Sequence, residues 1–551
     1  MKYTLQTFLL RIPEVFLVVL TASSVLHAQA VPSIEWQKCL GGSDYDTPYS
    51  IQQLAGGGFI VAGSSESNDG DVSGNQGLKD YWIVKLDAAG NLLWQKSLGG
   101  SNIDEAHSIQ QTADGGFIVA GESYSNDGDV VGHHDCNYYY GCSDYWILKL
   151  DMDGNLVWQK SLGGTDNDAP YSVQQTTDGG FIVAGGSYST DGDISNNHGG
   201  EDYWVTKLDT GGIIEWQKSF GGSDYDDAFS VRQIADGGFI VAGESSSTDG
   251  DVTGNHGGQD YWIAKLDTAG NLVWQKSLGG SSSDDERSIQ QTTDGGFIVA
   301  GLAYSNDGDV TGHHGSIAYA DYWIVKLDTA GNLVWQKSLG GSKEDYAFSI
   351  QQTTDEGFIV AGRSASNNGD VSGNQGGDDC WIAKLDTVGN LVWQKSLGGS
   401  STEYGISIQQ TSDDGYIVAG LSGSNDGDVS GGHGLFDYWI VKLTSDHATE
   451  VPLFSNNLIS VFPNPAQKNL IINLATDRVL ASGETIRVYD LSGRLCEKSS
   501  ILQTPLSGHT NRFELNIENL PAGFYTFEIT NNPMNPADKT RESEFGKFVK
   551  Q

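Results

Sequence analysis

Seven short loops carry the densest oxygen chemistry in this sequence. They read Asn/Thr-Asp-Gly-Asp-Val or a close variant at 68–72, 126–130, 190–194, 248–252, 306–310, 367–371 and 425–429. Their carboxylates are Asp69, Asp71, Asp127, Asp129, Asp191, Asp193, Asp249, Asp251, Asp307, Asp309, Asp370, Asp426 and Asp428. Closely spaced Asp and Asn oxygens around a Gly turn suit calcium, a hard cation that takes about six to eight oxygens. A further Asp a few residues on (Asp80, Asp144, Asp202, Asp260, Asp321, Asp379, Asp437) could add another oxygen. The alternating acids and terminal Glu of an EF-hand loop are missing. The same residues also build an Asx-type turn, with side chains bonded to backbone N–H groups. The sequence leaves both open, and calcium is the one cofactor it suggests.

Catalysis needs a unique constellation, so the positions that break the repetition are the candidates for it. His133 and His134 adjoin an insertion bearing Tyr138, Tyr139 and Tyr140. His313 and His314 adjoin another bearing Tyr319. These eight residues are the candidate binding positions, and no catalytic residue is assigned. Cys136 and Cys142 share the first insertion and can form a small disulfide after export. Cys39, Cys380 and Cys496 have no such neighbour. The sequence lacks G-x-S-x-G, H-E-x-x-H and P-loop patterns, and no C-x-x-C pair supports zinc.

The elements that position these residues follow from a long internal repeat. Trp-Gln-Lys recurs with its tryptophan at 36, 94, 158, 216, 274, 335 and 393. A second tryptophan recurs at 82, 146, 204, 262, 323, 381 and 439. The unit is 58 residues, and the second and fifth copies are longer by six and three. Each copy holds four strand-like runs rich in β-branched and aromatic residues, separated by Gly, Asn and Asp turns. A lone four-stranded sheet cannot bury its faces, whereas seven arranged radially can. An all-β, seven-bladed propeller over 31–443 is therefore expected. The first copy starts with only a fourth strand, 34–40, and the last stops after its third, 438–443. Together they complete one blade. The repeat resembles bacterial propellers whose strands read SI-x-x-T-x-DGG-FIVAG and end in WQKSLGG. Strand order places the inter-blade links and the Asp-rich loops on one face, with the tight hairpins on the other. The fourteen tryptophans are expected to pack between blades.

Charge narrows the partners. The chain carries a formal net charge of −40, nearly all of it in the repeat region. Nucleic acid and anionic membranes are poor partners for such a surface. Cations, neutral glycans and basic proteins suit it.

The two ends concern delivery. Residues 1–30 read as a signal peptide: Lys2 and Arg11, an apolar run, then Ala28-Gln29-Ala30. No later stretch approaches transmembrane length. After a polar linker, 444–457, the composition changes. Val461-Phe-Pro-Asn-Pro-Ala466, Leu470-Ile-Ile-Asn-Leu474, Ile486-Arg-Val-Tyr-Asp-Leu-Ser-Gly-Arg494, Leu520-Pro-Ala-Gly-Phe-Tyr525 and Lys547-Phe-Val-Lys550 follow in order. These motifs resemble the C-terminal sorting domain of type IX secretion substrates from Bacteroidota. The resemblance implies a small β-sandwich over 458–551, a partnership with the secretion machinery, and a secreted or outer-membrane-surface location. The expected function is a non-catalytic binding or structural module for a glycan or protein. A polysaccharide hydrolase or lyase using the loops of copies two and five is the alternative.

Overall fold

The computed structural model describes residues 31–134, 141–446 and seven stretches within 459–550. The expected signal peptide, most of the linker, Cys136 and Tyr138, Tyr139 and Tyr140 lie outside the described residues. The chain divides between His447 and Ala448 into two compact units. Among the described residues there is no helix.

The first unit is a seven-bladed propeller of four-stranded antiparallel blades. Blade one holds Asp46–Gln53, Phe59–Ser65, Asp80–Leu86 and Leu92–Leu98, hydrogen-bonded in that order. Blades two to six repeat this over 104–162, 168–220, 226–278, 284–339 and 345–397. Blade seven takes Glu403–Gln410, Tyr416–Ser422 and Asp437–Leu443, then Ile34–Leu40 as its fourth strand. The register runs from Trp36 opposite Lys442 to Leu40 opposite Tyr438. The clasp expected from the broken end copies is thus present.

Seven apolar clusters lie between neighbouring blades, the last joining blade seven to blade one. The two tryptophans of each copy divide the packing. Trp82 and its six equivalents are fully buried, and each indole N–H donates to the Gln of a Trp-Gln-Lys, as Trp82 does to Gln95 at 2.9 Å. The other tryptophan sets its ring edge-on to the aromatic that opens a second strand in the next blade. Trp94 lies 6.0 Å from Phe117 in this way.

Polar groups also join the blades. Six tyrosine hydroxyls donate to a tryptophan carbonyl one blade on, Tyr203 to Trp262 at 2.8 Å among them. Blade six has buried Cys380 at this position instead. The Ser-x-Gln-Gln run of each first strand works the same way. Ser108 Oγ accepts from Val173 N at 3.2 Å, and Gln110 Oε1 from Gln175 N at 2.6 Å. First strands of successive blades therefore touch all the way round and enclose a central channel. Ser and Gln from these strands line a cavity of about 260 Å³ within it.

The second unit has two antiparallel sheets. One pairs Ile459–Phe462 with Asn469–Leu474 and Arg512–Asn516. The other orders Leu495–Ser500, Thr485–Asp490, Gly523–Thr530 and Ser543–Lys550. Tyr525 donates its hydroxyl to Pro521 O at 2.9 Å.

Candidate functional site

The Asp-rich loops and the inter-blade links meet on one face. In each loop the first acid caps a link: Asp69 Oδ1 accepts Ser43 N at 2.7 Å, and Asp127, Asp191, Asp249, Asp307 and Asp426 repeat the bond. Asn368 does the same in blade six. The second acid leans on the glycine of the link, as Asp71, Asp129, Asp193, Asp370 and Asp428 show at 3.3–3.4 Å. Eleven of the thirteen loop carboxylates are thus engaged as turn acceptors. Among the described residues, the three-donor group close enough to share one ion is Glu105, His107 and Glu122, on the channel rather than in these loops.

Two further acids per blade are buried beneath this face. One opens the first strand (Asp46 and equivalents, Glu403 in blade seven), the other the third strand (Asp80 and equivalents). The link glycine lies between them. A Cβ at Gly99 would stand 2.6 Å from both Asp80 Oδ1 and Asp104 Oδ2, so the Leu-Gly-Gly motif needs its first glycine for close approach. First-strand acids are held by serines, for example Ser67 Oγ on Asp46 Oδ2 at 3.1 Å. Third-strand acids accept one backbone N–H each on Oδ2, while Oδ1 has no partner in all seven blades.

Burial outweighs these hydrogen bonds and pushes Asp80 and Asp168 up to about 7. Such acids are protonated at higher pH in the folded chain than in the unfolded one. Between about pH 4 and 7 the folded chain therefore holds more protons, and stability rises as pH falls through that window. Asp114 acts oppositely: the hydrogen bond from Thr112, and then Lys149, hold it at about 2. Its contribution is lost as pH falls below about 4. The melting temperature in chelator should peak near about pH 5 and drop on the order of 5 °C by about pH 8. A scan that climbs steadily to pH 8 would refute this.

The structure places the sequence-selected histidines in two different roles. His134 Nδ1 lies 2.9 Å from Asp144, and His314 Nδ1 lies 2.9 Å from Asp321. His198, His256 and His433 occupy the same place in their own blades, with Gln76 and Gln375 in the other two. This residue also reaches the loop of the next blade, as Gln76 does to Asp129 at 2.7 Å and His314 to Asp370 at 3.6 Å. His134 and His314 thus belong to a sevenfold set. His133 and His313 are the ones that differ, and each braces its insertion through Nε2, on Cys142 O and Tyr319 O at 3.0 Å. Cys142 is disulfide-bonded.

The strongest asymmetry lies elsewhere, at the mouth of the channel. Each first strand carries a β-bulge at its fourth residue. A bulge leaves one residue outside the ladder and re-aims its side chain. Those residues are Tyr49, His107, Tyr171, Phe229, Arg287, Phe348 and Ile406, and they differ from blade to blade. Several touch in series around the channel: Tyr49 and His107 at 4.9 Å between centroids, His107 and Tyr171 at 5.1 Å, Tyr171 and Phe229 at 5.1 Å, Arg287 over Phe229 at 4.3 Å. Because these positions share no motif, the repeat pattern passes over them. Stacking the seven copies and reading the columns that vary would have found them.

Three charged arcs surround this ring. Near blade two, Lys79 lies 2.6 Å from Glu105 and 3.4 Å from Glu66, and His107 3.8 Å from Glu122. Burial opposes ionisation of Glu122, yet His107 holds it below its ordinary value. At blade six, Arg363 pairs with Glu344 at 3.0 Å and with Asp378, its guanidinium 4.0 Å over Tyr346. Between them, blades three to five contribute Glu201, Asp227, Glu244 and Asp285. Burial, then Glu244, raises Glu201 to about 7; burial, then Asp285, raises Glu244 to about 8. Asp227 is driven well above the carboxylate range by burial and Glu201. Exposed aromatics stand at the rim: Tyr45, 42% exposed and stacked on Phe436 at 5.7 Å, and Tyr188, 40% exposed.

Likeness to known proteins is uneven along the chain. Over 230 residues, 39% of this chain, it is 28% identical to the Regulatory protein FlaEY of Caulobacter vibrioides, and it spans about a quarter (23%) of that protein's length. The Neurospora crassa Pan2 WD40 domain superposes with TM-score 0.42 at 10% identity, over 74% of this chain and 95% of that one. A puromycin hydrolase does so with TM-score 0.41 at 12% identity, over 82% and 62%. Residues 460–540 match the family model of the secretion system C-terminal sorting domain, so the C-terminal unit is a type IX sorting domain that marks the chain for export to the cell surface or medium.

Proposed function

We propose that the propeller is a binding module that takes an extracellular glycan at the mouth of its channel, without turnover. The sorting domain supports action outside the cell. The observation that carries the binding reading is the position of the asymmetry: six of the seven bulged residues are aromatic or cationic, and exposed Tyr45 and Tyr188 flank them. Aromatic faces beside carboxylates and a guanidinium match the mixed apolar and hydroxylated faces of sugars. The repeated loops, by contrast, have most of their carboxylates engaged by the backbone. On this route residues 1–30 are removed as a signal peptide, the chain passes through the periplasm, and sorting ends in display at the surface or release. Strong negative charge turns away polyanions, so neutral polysaccharides are the suitable class.

The test is retention of the purified chain on immobilised neutral polysaccharides, with soluble products assayed alongside. Wild type should be retarded and release no reducing ends above blank. Tyr45→Ala combined with Tyr188→Ala should weaken retention about tenfold, roughly 1.4 kcal/mol. Asp307→Asn should leave retention unchanged, since Asn368 fills the equivalent place in blade six. Product release, or loss of retention only in Asp307→Asn, would contradict the reading.

A further inference from the structure

The charged arcs of the channel mouth differ in how they are neutralised. The arc at blade two sets Lys79 and His107 against its carboxylates. At blade six Arg363 lies between two acids. Among the described residues the middle arc has Arg287 alone, 3.8 Å from Asp285, its charge also favouring the ionised forms of Asp227 and Glu244. Glu201, Asp227 and Glu244 are 6%, 1% and 5% exposed there, sealed from water that would otherwise screen them. Carboxylates crowded together out of water are unstable unless a positive charge or a proton joins them.

The local geometry sets two of these carboxylates side by side. Gly186 occupies a second-strand position where other blades carry Ser64, Glu122 or Leu302. A Cβ at Gly186 would collide with Glu201 Oε1 and would stand 2.6 Å from Asp227 Oδ1. Two carboxylate oxygens from neighbouring blades thus pack against the same glycine, side by side. Asp227 Oδ1 is buried and has no hydrogen-bond partner, whereas Oδ2 receives Tyr225 Oη at 3.2 Å. Glu244 Oε2 and Asp285 Oδ1 are also unpartnered, one blade further on.

We propose that this buried cluster, with its unpartnered oxygens, binds a hard divalent cation, calcium, through Glu201 and Asp227, with Glu244 and Asp285 supplying further negative charge. The donors on offer are all oxygen, which selects calcium over the softer metals that prefer imidazole or thiolate. The ion would tie blade three to blade four from inside the channel. The site is separate from the Asp-rich loops and borders the rim at Tyr188, which hydrogen-bonds Glu201.

The experiment uses the full chain, stripped with chelator and titrated with calcium alone. Binding is followed by calorimetry, by tyrosine-sensitised terbium luminescence with calcium as competitor, and by thermal melting. Wild type should bind about one ion and melt higher with calcium than without. Asp227→Asn keeps the shape and removes a charge. It should lose at least tenfold in affinity and most of the melting shift. Its calcium-free melting temperature should stay close to that of wild type, because the amide replaces a carboxyl whose burial already favours the neutral form. Glu201→Gln should behave in the same way and serves if Asp227→Asn does not fold. Asp307→Asn, in a repeated loop, should bind as wild type does. Absence of calcium binding would overturn the proposal, as would wild-type affinity in both variants. So would about seven ions per chain with binding weakened by Asp307→Asn.

Discussion

Deleting residues 31–40 is expected to abolish the folded propeller rather than trim it. Ile34–Leu40 is the outer strand of blade seven, paired with Asp437–Leu443 along its whole length. Without it that strand becomes a bare edge, a template for pairing with other chains. Trp439 would lose the acceptor for its indole N–H, Gln37 Oε1 at 3.0 Å. Trp36 would leave Phe59, which it meets edge-on at 5.8 Å. Leu40 and Cys39, both buried, would vacate the clusters on the two sides of blade seven. Each large apolar side chain is worth about 1.5–3 kcal/mol, so the loss rivals the total stability of an ordinary domain, about 5–15 kcal/mol.

The same geometry predicts a rescue. Thr444 N donates to Ser33 O at 2.9 Å, and Ser33 N to Thr444 Oγ1 at 3.0 Å. The two ends of the ring therefore touch. A permuted chain with residues 33–40 moved to follow Thr444 through a short linker should fold with a near wild-type melting temperature. Circular dichroism and calorimetry of the two variants would check this. A deletion variant that melts cooperatively at the wild-type temperature would refute the clasp.

Much of this architecture could be read in the sequence, because packing demands identical residues at identical places. Fourteen tryptophans, the Phe-Ile-Val-Ala-Gly strands and the Leu-Gly-Gly links recur since every blade meets the next in the same way. The broken end copies disclosed the clasp for the same reason. The candidate site was harder to see. A bulge leaves the pairing of its neighbours intact, so Tyr49, His107, Tyr171 and Arg287 are free to differ and carry no motif. The insertions drew attention to four histidines. Yet His134 and His314 bond the third-strand Asp as His198, His256 and His433 do, while His133 and His313 brace the loops. Nor could spacing along the chain reveal Glu201 and Asp227 as neighbours. They come from different blades, 26 positions apart, and meet only because Gly186 has no side chain.

Removing residues 458–551 should change the destination of the protein without changing the propeller. The two units are separately compact, and the family match covers 460–540 alone. The propeller closes on its own ends at Ser33 and Thr444, so all seven blades are complete without the tail. Export and folding should then come apart: the truncated chain should melt within about 2 °C of the full one, because every blade and inter-blade cluster stays in place. Its location should move entirely. The decisive measurement is fractionation with surface immunodetection, in a bacterium carrying the type IX machinery, of the full and truncated chains side by side. The expected result is full-length protein at the surface or in the medium and truncated protein folded in the periplasm. Truncated protein reaching the surface as efficiently as the full chain would contradict the assignment.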